Sequence, residues 1–92
     1  MAQVPIRTPA ETLVELGERI EARRKARGLS RAELSDRAGI NPKSIWALET
    51  GRGSTLTTLA AVLKALGLED ALLDMVPVPR VSPMALLGKG RR

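Results

Sequence analysis

Leu29-Ser30-Arg31-Ala32-Glu33-Leu34-Ser35-Asp36-Arg37-Ala38-Gly39-Ile40-Asn41-Pro42-Lys43-Ser44-Ile45-Trp46-Ala47-Leu48-Glu49-Thr50-Gly51 is the stretch that decides the fold. It contains two helix beginnings. Ser30 followed by Glu33 is a capping box: the hydroxyl accepts from the third backbone N–H, and the carboxylate reaches back to the first. Asn41 followed by Pro42 is an N-cap with proline at the first helical position, where its missing N–H costs nothing. Gly39, between them, suits the left-handed conformation that ends one helix and redirects the chain. The pattern predicts a short helix, a tight turn and a second short helix.

The second of these helices has two faces. At 100° per residue, Ile45 and Leu48 share one side with Glu49 beside them. Lys43, Trp46, Ala47 and Thr50 fall on the other at spacings i, i+3, i+4 and i+7. That outer stripe carries a lysine and the only aromatic residue of the chain. A helix used only for packing has no need of a tryptophan on this side, which points to contact with a ligand. The plainer alternative is that Trp46 covers a neighbouring edge of the core.

The segment from Leu16 to Gly53, followed by Thr55 to Leu68, resembles the Xre/Cro helix-turn-helix family of phage and bacterial repressors. The resemblance spans residues 13–76 and rests on an ordered set of positions: Leu16, Ile20, Arg24, Gly28-Leu29-Ser30, Glu33-Leu34, Ala38-Gly39, Ile45, Leu48-Glu49, Gly51, Leu59 and Ala65-Leu66-Gly67. It implies an all-α, five-helix, phage-repressor-like domain that binds double-stranded operator DNA.

Ninety-two residues suffice for one small domain with a modest core. The chain has neither cysteine nor histidine, so a disulfide framework and the usual zinc ligands are excluded, and no metal or cofactor is expected. This composition suits a reducing, cytoplasmic, nucleoid-associated setting. The first residues lack the basic and apolar regions of a signal peptide, and no stretch has the length of a membrane span. The net charge of +5 is unevenly distributed. Residues 19–52 sum to +5 and residues 77–92 to +4, whereas residues 1–18 and 53–76 sum to −2 each. The positive charge thus coincides with the helix pair, as expected for a surface facing phosphates.

Thr8-Pro9-Ala10-Glu11 is a further capping box, so the first helix begins near Pro9, after an N-terminal arm of residues 1–8. Leu13, Leu16 and Ile20 make its expected inner stripe, and Gly28 stops it. Arg24 continues that stripe, where a charge needs a partner. The family resemblance supplies one: this position pairs with the glutamate near the end of the recognition helix, here Glu49, as a structural ion pair. Thr55 caps a fourth helix with a stripe of Leu56, Leu59, Leu63 and Leu66, ended by Gly67. Residues 68–76 read as a short fifth helix, acidic at its start as the helix dipole favours.

The domain is thus expected over residues 9–76, with residues 77–92 a basic, Pro-containing tail. Pro77 and Pro79 break the helical pattern, and the tail is too poor in core-forming residues to fold alone. Val78 and Val81 could add a short strand against a partner, and Met84 to Leu87 a helical turn.

The chain shows no catalytic constellation: there is no histidine base, thiol or tyrosine, and no glycine-rich loop follows a strand. A non-enzymatic role is expected. Carried over by position, Asn41, Pro42, Lys43, Trp46 and Ala47 would face DNA bases, and Ser30, Arg31, Ser44, Arg52 and Thr55 the phosphates. Pro42 and Trp46 depart from the common pattern, in which polar residues stand. Such domains bind two-fold operators as dimers, and the apolar surplus of Leu68, Leu72, Leu73, Met75, Val76 and Val78 is either the homodimer surface or the floor of the core. The run from Val81 to Arg92 is similar to the ends of HipB-like antitoxins, partners of HipA-type kinases. This favours an autoregulating antitoxin. A phage-type or restriction-controller repressor, or a subunit that chiefly holds a partner kinase, are the alternatives.

Overall fold

The computed structural model describes residues 7–80, and the readings of a helical turn at Met84 to Leu87 and of an antitoxin-like end at Val81 to Arg92 lie outside them. Five α-helices follow one another: α1 (Pro9–Ala26), α2 (Arg31–Ala38), α3 (Pro42–Glu49), α4 (Leu56–Ala65) and α5 (Ala71–Asp74). No strand occurs among the described residues. Helix α1 packs across α3, α2 lies against both α3 and α4, and α3 also meets α4.

Local signals set the helix starts. At α1, the Glu11 N–H donates to the Thr8 hydroxyl at 3.1 Å and the Thr8 N–H to the Glu11 carboxylate at 2.8 Å. The Ser30–Glu33 pair does the same at α2, at 3.0 and 2.8 Å. Asn41 Oδ1 accepts from the Lys43 N–H at 2.7 Å, and the Thr55 hydroxyl from the Thr58 N–H at 3.1 Å. Gly39 ends α2 at φ 69°, the left-handed conformation that turns the chain into α3.

The core consists of Ile20, Leu29, Leu34, Ile45, Leu48, Leu59, Val62, Leu63 and Leu66. Its contribution from α4 (Leu59, Val62, Leu63, with Leu66 just beyond) follows the i, i+3, i+4, i+7 rule. Leu56, expected to begin this stripe, is instead 71% exposed. It stands at the first helical position, and the buried face starts one turn later at Leu59.

Leu13 is also exposed rather than inward-facing. The buried line of α1 runs through Gly17, Ile20 and Arg24, with Leu16 half-buried. Gly17 sits where α1 crosses the end of α3: a methyl group there would stand 2.5 Å from both the Leu48 and Glu49 carbonyl oxygens. Only a residue without a side chain permits this approach.

The fifth helix is shorter than the expected span. It is a single turn, with Leu68 to Asp70 in the preceding turn and no side-chain cap from Asp70. Leu68, Ala71 and Leu72 pack against the core, whereas Leu73 faces outward, so the core engages only one side of this turn. Val78 is exposed and forms no strand, and Val81 lies outside the described residues.

Candidate nucleic-acid interface

Helix α3 is anchored from within. Ile45 and Leu48 are buried in the core, and the carboxylate beside them, Glu49, is fully enclosed. Arg24 of α1 donates to Glu49 through Nε at 2.6 Å and Nη2 at 3.0 Å, and through Nη1 to the Leu29 carbonyl at 2.8 Å. Arg31, in the first turn of α2, donates to the same carboxylate through Nε at 2.9 Å. One carboxylate therefore ties the end of α3 to α1 and α2.

The protonation balance of this cluster follows from its geometry. Burial pushes the Glu49 carboxyl up, but the hydrogen bonds and charges of Arg24 and Arg31 outweigh it and hold the group below its ordinary value. Arg24 is raised in turn, chiefly by its hydrogen bond to Glu49 and against its own burial. Among the described residues no buried side-chain nitrogen or oxygen lacks a hydrogen-bond partner. The buried charges are thus paired without any side chain from the outer face of α3.

On that outer face, Asn41, Pro42, Lys43, Trp46 and Thr50 are exposed and Ala47 is half-buried. Asn41 Oδ1 is taken by its cap, which leaves the side-chain amide N–H groups as its available donors. Trp46, 42% exposed, does not belong to the core. Its ring instead carries Arg52, whose Cζ lies 4.9 Å from the ring centroid. Between α3 and the start of α4, Ser44, Ala47, Gly53, Ser54, Thr55 and Thr58 line a shallow cleft of ≈ 300 Å³.

The candidate phosphate-facing groups flank this surface, and the structure alters what two of them can offer. The Ser30 N–H is committed to Glu33, so its hydroxyl is the group left to donate. The capping hydrogen bonds, from the Ser30 backbone first and its hydroxyl second, hold the Glu33 carboxyl below the usual range. Arg31 is shared: besides Glu49, its Nη2 lies 3.5 Å from the Glu21 carboxylate, yet about a third of its side chain remains exposed. Nothing in its spacing from Glu49 or Glu21 follows a helical repeat, so sequence patterning misses this inward turn. Thr55 keeps its hydroxyl proton, and Ser44 is half-buried in the cleft. Gly17 was also missed, although a glycine inside a run of good helix formers is itself a signal of close backbone approach.

Two short capped helices joined by a glycine turn, with the second anchored inside and exposed outside, define the arrangement. Residues 15–75, well over half of the chain, match the family described as "Helix-turn-helix domain". The chain belongs to that family. No curated protein gives a significant match. As a helix-turn-helix domain, the chain is a DNA-binding regulator, with α3 in the position of the recognition helix. No described helix is long and apolar enough to cross a membrane.

The residues singled out for a homodimer surface divide into two sets. Leu68 and Leu72 are partly buried against the core of the helix-turn-helix domain. Leu73, Met75, Val76 and Val78 are 64–85% exposed.

Proposed function

We propose that the chain is a sequence-specific transcriptional repressor that binds a two-fold symmetric operator as a homodimer. The observation that carries this reading is the division of α3: Ile45, Leu48 and Glu49 are consumed by the interior, while Asn41, Pro42, Lys43 and Trp46 stand exposed on the groove side. In the major groove, Lys43 donates to guanine O6 or N7, Asn41 donates through its amide, and Pro42 and Ala47 touch thymine methyl groups. Arg31, Arg52, Ser30, Ser44 and Thr55 hold the flanking phosphates, which set affinity and register without reading sequence.

A single domain of this size covers a small interface, and two copies one helical turn apart, roughly 34–36 Å, double it. The exposed apolar end formed by Leu73, Met75, Val76 and Val78 supplies the dimer contact. Within this class the finer reading is an autoregulating, HipB-like antitoxin of a HipA-like kinase, supported by the resemblance of Val81 to Arg92 to such ends.

The test is a salt-titrated binding assay on the DNA upstream of the chain's own gene against a scrambled duplex. Strong preference for the native fragment and a steep salt slope are expected. Equal, weak binding to both duplexes would sink the repressor reading. Co-purification with the product of the neighbouring gene then tests the antitoxin assignment, and a neighbour without a kinase fold would remove it.

A further inference from the structure

The stack of Arg52 on Trp46 is the feature of the outer surface that neither the core nor the base contacts explain. Four observations bear on it. The Arg52 Cζ is 4.9 Å from the indole centroid, within the range of a cation–π contact. The Arg52 N–H donates to the Ala47 carbonyl at 2.8 Å, which ties its backbone to the end of α3. The preceding Gly51, at φ 76°, is pressed against Val14 of α1, where a methyl group would stand 2.7 Å from the Val14 Cα. Among the described residues, no carboxylate forms a salt bridge with Arg52.

A guanidinium laid on an aromatic ring uses its face and leaves its edge open. That edge carries the five N–H donors that match a phosphate bidentately. An arginine on a loop ordinarily loses much rotamer freedom when it grips a ligand. Here the ring holds the side chain and the Gly51 turn holds the backbone, so part of that loss is already met in the free protein.

We propose that Trp46 is a positioning residue: its indole holds the Arg52 guanidinium so that its open edge binds one backbone phosphate of duplex DNA beside the groove that α3 enters. This rests on the DNA-binding reading above and departs from it at one residue, since Trp46 then acts through Arg52 and not by touching a base.

The experiment is a salt titration of the full-length chain on its own upstream duplex, with Arg52→Ala, Trp46→Leu, Trp46→Phe and the Arg52→Ala/Trp46→Leu double variant. Each of Arg52→Ala and Trp46→Leu should flatten the slope of log K against log salt by about one unit. The double variant should flatten it no further, and Trp46→Phe, which keeps an aromatic face, should restore most of it. Trp46 is the sole aromatic residue, so a change in indole emission in free Arg52→Ala reports the stack directly. Thermal melts serve as the control for folding. Three results overturn the proposal: an unchanged slope in Trp46→Leu, weaker binding at unchanged slope (an apolar base contact), or additive losses in the double variant. Failure of the wild-type chain to prefer its own duplex would instead overturn the repressor reading, and the stack's role with it.

Discussion

The crossing of α1 over α3 and the exposed end around α5 are built on opposite terms. At the crossing, Gly17 lets two backbones touch and Glu49 is enclosed by Arg24 and Arg31. At the α5 end, one helical turn without a side-chain cap holds Leu68, Ala71 and Leu72 on the core and leaves Leu73, Met75, Val76 and Val78 in solvent. The first region is complete within one chain. The second is an apolar surface that nothing among the described residues covers, the kind of patch that marks an interaction site.

The largest effect should come from breaking the charge cluster. Glu49→Ala leaves Arg24 buried without its carboxylate and should cost about 3–5 kcal/mol, enough to unfold much of a domain this small; denaturant titration reads it directly. The cluster also sets an acid response. The Glu49 carboxyl is held below its ordinary value of 4.5, so its contribution is present above that pH and is lost as pH falls through the lowered value. Glu33, lowered by its capping bonds, acts with the same sign. Stability measured from pH 7 to pH 3 should therefore fall on the acid side, and more gently in Glu49→Gln. An equally steep acid limb in that variant would place the titrating group elsewhere.

A smaller loss is expected at the backbone contact itself. Alanine in a helix interior gains about 1 kcal/mol over glycine. At Gly17 the two carbonyl oxygens at 2.5 Å should outweigh this, since overpacking costs about 1–3 kcal/mol. Net stabilisation of Gly17→Ala would show that the helices can separate freely and that the crossing is not tight.

The caps sharpen the contrast further. Thr8→Ala removes the hydroxyl that accepts from the Glu11 N–H, one half of a capping box, and should destabilise by about 1 kcal/mol, whereas Asp70→Ala, which removes no capping bond, should leave thermal stability unchanged. The least effect on the monomer belongs to Leu73→Ser, within about 0.5 kcal/mol as for an ordinary surface change. Sedimentation should nevertheless show weakened self-association. A core-like loss of stability would mean that this end belongs to the domain interior after all.

The parts legible in the sequence are those encoded locally. Thr8, Ser30, Asn41 and Thr55 each accept a hydrogen bond from the helix they begin, and the two faces of α3 follow from eight consecutive residues. What depends on how helices meet was less visible. Leu13 and Leu56 fit the helical repeat, but Leu56 is the first residue of α4 and Leu13 lies one turn ahead of Gly17, where the buried line of α1 begins. Val62, absent from the expected stripe, is fully buried. Arg31 reads as a free basic residue until the fold brings Glu49 and Glu21 to it. The outward tryptophan was recognisable as unusual and Arg52 as a candidate phosphate contact, but their stacking was not, because it depends on the Gly51 turn.

The anchoring of α3 by Ile45, Leu48 and Glu49 alone has an evolutionary consequence. The side chains of Lys43 and Trp46 lie outside the core, so exchanging them leaves the buried anchor of α3 in place. A lineage carrying this scaffold can drift among targets by altering a few side chains, while the interior that folds the helix is inherited unchanged.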